Sequence, residues 1–336
     1  MIKVIAVVGP TAVGKSDLAV ELALRLEERT GLRGEVINAD SMQLYRGMDI
    51  GTAKITREEM RGVAHHLLDV WEVSEPADVA SYQEMARDRI EECAERGVLP
   101  VLVGGSGLYV RAVLDRLEFP GTDPEVRARL ESELADLGPG VLHARLAELD
   151  PEAARTILPG NGRRIVRALE VIELTGAPFT ANLPDHDTPY YPCAQIGLSA
   201  PRPELDTRID RRVDRMWERG LLEEVRRLDG WGLREGRTAS RALGYAQALG
   251  QLDGDLTEEE ARESTARATR RFARRQESWF SRDPRVRWLP YDSPALVERA
   301  LSHVEAVMAG PPAYPGETLV DVATLVPHSQ HTAPDA

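Results

Sequence analysis

The chain has 336 residues, with 42 Lys and Arg against 55 Asp and Glu, a formal net charge of −13, 42% hydrophobic residues and 2 Cys. No apolar run reaches bilayer length, and Met1 to Val8 leads into a glycine loop where a charged, apolar, cleavable leader would stand, so a membrane protein is excluded and a cytoplasmic location is expected. Cys93 and Cys193 have no second Cys or His at ligand spacing, which argues against a disulfide framework and a zinc site.

Ile2 to Val8 is a β-branched apolar run, followed by a glycine loop and then by Leu18, Ala19, Leu22, Ala23 and Leu26 at helical spacing, which reads as strand, loop and helix. Glu35 to Ala39 reads as a second strand ending at Asp40, Val79 to Arg96 as an amphipathic helix, and Leu99 to Val103 as a third strand. Buried strands alternating with helices imply an α/β fold, a parallel sheet with helices on both faces. From Pro120 the segments turn helical, opening at Asp123-Pro124, at Asp150-Pro151 and at Asn161, and so read as a helical insertion. Cys193 to Ser199 restores a strand that rejoins the sheet. It is followed by one long helix over Pro203 to Leu228, by helix over Arg241 to Leu249 and Glu258 to Phe280, and by a short strand over Arg285 to Leu289. The expected organisation is a core over residues 1–119, an insertion over 120–191, a return to the core over 192–309 and a disordered tail over 310–336, rich in Pro, Thr and His.

Gly9-Pro10-Thr11-Ala12-Val13-Gly14-Lys15-Ser16 matches the P-loop pattern in full, in the strand–helix context that the pattern requires. Its backbone N–H groups and the helix N-terminus suit phosphate oxygens, Lys15 adds a point charge and Ser16 a hydroxyl that ligates magnesium. The only lysines are Lys3, Lys15 and Lys54, and the survival of Lys15 in a chain otherwise basic through Arg adds weight to that reading. A P-loop nucleotide enzyme also needs an Asp at the end of a later strand for magnesium. Here Val103 is followed by Gly104-Gly105-Ser106-Gly107, which carries no carboxylate. The remaining acid is Asp40, which reads equally as a general base or acceptor anchor and as the N-cap of a helix over Ser41 to Tyr45. His65-His66 receives no catalytic role, and Gly51 to Lys54 reads as a turn. Arg163, Arg164 and Arg167 open one helix, and Arg267, Arg270, Arg271, Arg274 and Arg275 form a stripe on another, which suits a nucleic-acid backbone or a solvated face paired with Glu258 to Glu260 and Glu263.

Taken together, the P-loop, Asp40 to Tyr45, Gly47 to Lys54, Gly104 to Tyr109, Asp123 to Arg127, Arg164 to Val171, Gly244-Tyr245 and Thr269 to Phe280 resemble the tRNA dimethylallyltransferase (tRNA isopentenyltransferase) family, and the likeness covers Val4 to Leu289. The resemblance implies a P-loop NTPase-like core with an inserted tRNA-binding subdomain, and transfer of a dimethylallyl group from dimethylallyl diphosphate to N6 of the adenosine 3′ of the anticodon, position 37. Mg2+ would be the cofactor, pyrophosphate the product and the tRNA anticodon stem-loop the partner, in a monomeric enzyme of bacterial type without a zinc-finger extension. The nucleotide-type loop then holds an isoprenoid diphosphate. By the same resemblance Asp40 and Ser106 are catalytic, Ser106 standing where many members carry Thr, and Arg208 and Arg212 form a pyrophosphate clamp. The tRNA contacts fall on Asp40, Ser41, Met42, Gln43, Arg127, Arg163, Arg164, Arg167, Arg241, Gly244, Tyr245, Thr269, Arg270, Arg274, Arg275 and Gln276, while Ala246 replaces a basic residue. The alternative is a P-loop small-molecule kinase using ATP, which explains residues 1–115 and leaves the arginine helix without work.

Overall fold

The computed structural model describes residues 2–179 and 189–310; the expected tail, apart from Gly310, lies outside the described residues. The chain divides into two compact units, one of Met1–Leu114 with Tyr190–Ala336 and one of Asp115–Pro189.

The first unit opens with β1 (Val4–Val8), α1 (Lys15–Thr30), β2 (Gly34–Asn38), the two-residue β3 (His65–His66), α2 (Val79–Glu95), β4 (Leu99–Gly104) and α3 (Gly107–Leu114). The second unit holds α4 (Pro124–Leu137), α5 (Pro139–Leu149), α6 (Pro151–Thr156) and α7 (Gly162–Thr175). The first unit resumes with β5 (Cys193–Ser199), α8 (Arg202–Glu218), α9 (Leu221–Asp229), α10 (Tyr245–Leu252), α11 (Glu258–Phe280), β6 (Val286–Pro290) and α12 (Leu296–Ala309). All pairings are parallel, in the order β3-β2-β4-β1-β5-β6.

Alternation along the central strand explains why both faces are covered. Ile5 and Val7 point to a core shared with Leu18, Leu22 and Leu26 of α1 and Leu301 and Val304 of α12. Val4, Ala6 and Val8 point to the opposite core, with Tyr82, Ala86 and Ile90 of α2 and Val110 and Val113 of α3. Each buried Val or Ile here contributes about 1.5–3 kcal/mol. The α11 helix supplies Ala273 to one core and Phe280 to the other, and so passes over the carboxyl ends of the central strands with Gln276 between them.

The single helix expected over residues 203–228 is two helices, α8 and α9, because Gly220 adopts φ 92°, a left-handed conformation that a helix cannot continue through. The final helix, α12, packs on α1, β5 and β6 and was not foreseen. No helix among the described residues is long and apolar enough to cross a membrane.

In the second unit, α4, α5 and α7 pack around Leu130, Leu142, Leu146, Ile165 and Leu169. Among its buried acids, Glu170 on α7 accepts the Asp123 N–H (3.2 Å) and pairs with both Arg127 and Arg167. Arg167 also donates to the carbonyls of Pro120 (2.6 Å) and Gly121 (3.2 Å), so the charges of these two arginines hold the entry segment on α7.

Candidate active site

In an open parallel sheet, ligands bind beyond the carboxyl ends of the strands, where the chain leaves each strand for the next helix. Three such exits converge here: the P-loop after β1, Asp40-Ser41 after β2, and Gly105-Ser106 after β4, which lies between β1 and β2. At this end lies a cavity of about 500 Å³, lined by Thr11, Ala12, Gly14, Lys15 and Ser16 of the loop, by Asp40 and Gln43, by Gly104 at the end of β4, and by Arg208 and Arg212 of α8; Ser106 does not line it.

The P-loop is held from outside by α8. Arg208 Nε donates to the Ala12 carbonyl (2.8 Å), while Arg212 donates to Thr11 Oγ1 (3.3 Å) and to the Thr52 carbonyl (3.2 Å). Four residues apart, the two arginines share one helical face, and each guanidinium has five N–H donors, which leaves others for a ligand. Ala12 takes φ 66°, a left-handed conformation that costs a non-glycine residue energy and is retained where it serves a binding loop. Lys15 Nζ rests on the Pro10 carbonyl at 2.7 Å. Burial pulls its pKa down to about 8, helped by the Arg212 charge and opposed by the Asp40 charge.

On the acceptor side, Asn38 Nδ2 donates to the carbonyls of Asp40 and Leu67, both at 3.0 Å, and fixes the exit of β2. Asp40 Oδ1 accepts the Met42 N–H at 3.0 Å, so it caps a turn, and the helix expected over Ser41 to Tyr45 does not form. The other Asp40 oxygen has no hydrogen-bond partner among the described residues and the side chain lines the cavity. Ser106 Oγ lies 3.3 Å from both the backbone nitrogen and the hydroxyl of Ser41, which ties the β4 exit to the β2 exit.

The residues proposed from sequence as RNA contacts divide sharply by exposure. Arg163, Arg164 and Arg241 are exposed, as are Arg274 and Arg275 on α11, while Thr269 is half-buried. Arg270 is instead spent on an ion pair with Asp210 of α8. Arg127 and Arg167 are spent on Glu170. Tyr245 is fully buried, donating its hydroxyl to the buried Glu224 at 2.7 Å, and the Gly244 N–H is capped by Gln247 Oε1 at 2.9 Å. Glu224 also accepts the N–H groups of Ile50 (2.8 Å) and Gly51 (3.3 Å), which holds the 47–54 loop so that its Thr52 carbonyl meets Arg212 and Gln43. Gln276 is 5% exposed and bonds the P-loop, so it is not open to RNA. Lys54, 6% exposed at its side chain, straps that loop by donating to the Tyr45 carbonyl (2.8 Å), Asp49 (2.8 Å) and Asp69 (2.5 Å).

Glu224 was not singled out in the sequence, although an acid on the Leu221, Val225, Leu228 stripe of α9 is a readable signal. Ligand atoms of Glu35, His66 and Cys93 also converge within 4.8 Å, an approach the sequence spacing does not reveal. Arg96 makes two bonds to Glu35, at 2.8 and 2.6 Å, and its pairing holds that carboxyl down to about 2. Burial raises the Cys93 thiol to about 11, and Glu35 also bonds His66 Nε2 at 2.7 Å, so the group is tied together as an ion-pair network around Glu35.

A P-loop, a carboxylate oxygen and two arginines without an acidic partner among the described residues, all around one cavity, define an α/β enzyme that handles phosphate groups. A family profile described as IPP transferase matches residues 43–283, and the chain belongs to that family. It is 73% identical to a tRNA dimethylallyltransferase of Thermobifida fusca over 90% of this chain and 95% of that one. It is 67% identical to another of Streptomyces avermitilis over 88% and 93% of the two chains. Among solved structures it is similar to a tRNA isopentenylpyrophosphate transferase of Bacillus halodurans, at 43% identity and TM-score 0.67 over 91% and 97% of the chains. A eukaryotic dimethylallyltransferase acting on tRNA matches at 27% identity and TM-score 0.76, over 91% of this chain and 78% of that one.

Proposed function

We propose that the protein transfers a dimethylallyl group from dimethylallyl diphosphate to N6 of the adenosine 3′ of the anticodon of tRNA, position 37, and releases pyrophosphate. The observation that carries this reading is the cavity that joins a diphosphate cradle, from the P-loop, Arg208 and Arg212, to an open Asp40 oxygen, with no carboxylate after β4 for a nucleotide-type magnesium site.

In the reaction, the bond from the allylic carbon to the diphosphate oxygen breaks and its electron pair leaves on pyrophosphate. The N6 lone pair forms the new C–N bond, and the N6 proton passes to Asp40. Adenine N6 is a weak nucleophile, so removal of that proton as the bond forms matters. Charge grows on the leaving diphosphate, where the loop N–H groups, Lys15, Arg208 and Arg212 are already in position and need no reorganisation. Ser16 is a hard oxygen donor in the cavity and is the residue that would hold Mg2+ there. When bound it would neutralise diphosphate charge. Ser106 orients the acceptor side through Ser41. The enzyme acts as a cytoplasmic monomer on the anticodon stem-loop, whose unpaired bases leave the stack more cheaply than duplex bases.

Incubation with labelled dimethylallyl diphosphate and unmodified tRNA, beside free adenosine monophosphate and γ-labelled ATP, tests this reading. Label on tRNA alone is the expected result, and phosphate transfer from ATP without prenylation would overturn it in favour of a kinase.

The RNA-facing part of α11 is drawn from its exposed arginines, Arg267, Arg271, Arg274 and Arg275, of which Arg267 pairs with Glu263. Arg274 is 60% exposed at its side chain and 3.9 Å from Asp206, too loose to be neutralised. Changing Arg274 and Arg275 to Gln is expected to weaken all tRNAs alike and to reduce the slope of log K against log salt by about 0.7–0.9 per arginine. Binding isotherms at several salt concentrations check this, and an unchanged slope returns the stripe to a solvated face.

A further inference from the structure

We propose that Gln276 is a positioning residue that fixes the diphosphate loop against the acceptor loop, so that the two reacting groups meet in register. Its Oε1 accepts the Thr11 N–H at 2.8 Å and its Nε2 donates to the Gly105 carbonyl at 2.8 Å. Both partners are backbone groups with a single hydrogen-bonding sense, so an amide in this orientation satisfies both at once, whereas a carboxylate satisfies one. The fit is close: a Cβ on Gly105 would lie 2.2 Å from Nε2, so the loop has no side chain at the point where the amide enters.

What each bond holds explains the role. Thr11 and Ala12 are the loop residues gripped by Arg212 and Arg208, and Gly105 precedes Ser106, which bonds Ser41 beside Asp40. One amide thus spans from the donor cradle to the strand exit that orients the acceptor. It reaches this point because α11 passes over the carboxyl ends of the central strands β1 and β4 between Ala273 and Phe280, and the same helix exposes Arg274 and Arg275 on its outer side. Gln276 does not line the cavity, so it acts through the loops and not on the substrate. Displacement of reacting groups by about 1 Å costs on the order of 10² in rate.

The inference rests on the prenyl-transfer reading, which the wild-type enzyme run alongside tests separately. Gln276→Glu keeps the acceptor for Thr11 and, when ionised, sets a carboxylate oxygen against the Gly105 carbonyl; when protonated, its O–H restores that bond. Gln276→Met removes both bonds at similar volume. With labelled dimethylallyl diphosphate and unmodified tRNA, both variants are expected to lose about 10- to 100-fold in the single-turnover rate at pH 8. The KM for the diphosphate and the Kd for tRNA should each stay within about 3-fold of wild type. The deficit of Gln276→Glu relative to wild type should shrink as pH falls from 8 to 6, while that of Gln276→Met stays constant. Thermal melting confirms folding, and Gln276→Glu at low pH keeps the comparison available if Gln276→Met does not fold. Single-turnover rates within 2-fold of wild type, a pH-independent Gln276→Glu deficit, or a tRNA affinity that falls in proportion to activity would each overturn the proposal.

Discussion

Asp40→Asn is expected to lower kcat by about 10²–10⁴-fold, the range that a positioned general base contributes, while the tRNA Kd and the KM for dimethylallyl diphosphate change by no more than about 3-fold. Asn is the informative replacement because its amide oxygen still accepts the Met42 N–H, as Asp40 Oδ1 does at 3.0 Å, and so preserves the turn. What it cannot do is accept the N6 proton. The Asp40 charge also raises the pKa of Lys15, so its removal moves that group further below about 8. The assay therefore belongs at pH 6.5–7, where Lys15 is charged in both proteins and the rate loss reports Asp40 alone. A kcat within 10-fold of wild type would leave Asp40 with only its capping bond.

The parts of this protein that sequence makes legible carry their chemistry in contiguous residues. The P-loop is a run of eight, framed by a β-branched strand and a helical repeat, and each part constrains the others. The alternation of Val4 to Val8 between two cores likewise follows from strand geometry, and the parallel sheet from helices between buried strands. Less legible are side chains whose partners lie far along the chain. Glu170, Glu224 and Gln276 each sit on the buried stripe of an amphipathic helix, beside Leu169, Val225 and Ala273 respectively. A polar group there must find a partner, and the pattern announces that need without naming who meets it. The entry segment of the inserted unit, the 50–51 turn and the two catalytic-edge loops are the answers. Motif membership misleads for the same reason: Tyr245 and Gln276 lie in segments that carry exposed arginines, yet both point inward, because a helix presents one face to the core whatever its sequence neighbours do. The break at Gly220 is legible only in part, since glycine permits a left-handed residue but does not require one.

Lys15→Ala is expected to reduce kcat/KM for dimethylallyl diphosphate by about 10²–10³-fold, the loss seen when one preorganised donor to a developing anion is removed. The chemistry of this lysine also predicts a pH signature. In the free protein its pKa is pulled down to about 8 by burial, with the Arg212 charge adding to the effect. A bound diphosphate restores a counter-charge and raises it again, so the complex holds a proton that the free enzyme loses above about pH 8. The KM for the diphosphate should therefore rise with pH through about 8, and Lys15→Arg, which does not deprotonate in this range, should flatten that rise. Stability follows the opposite sign. Because the folded pKa lies below the ordinary lysine value of 10.5, the unfolded chain binds more protons between about pH 8 and 10.5, and the contribution of this group to stability improves across that window. Below it the charged, buried lysine costs the ligand-free fold, so Lys15→Met should raise the melting temperature at pH 7 while abolishing the stabilisation that added diphosphate gives the wild type. A melting series at pH 7 and pH 10, with and without inorganic pyrophosphate, checks both halves. A Lys15→Met protein that melts below wild type at pH 7, or gains as much from pyrophosphate, would show that the lysine is held by the fold for its packing and not for its charge.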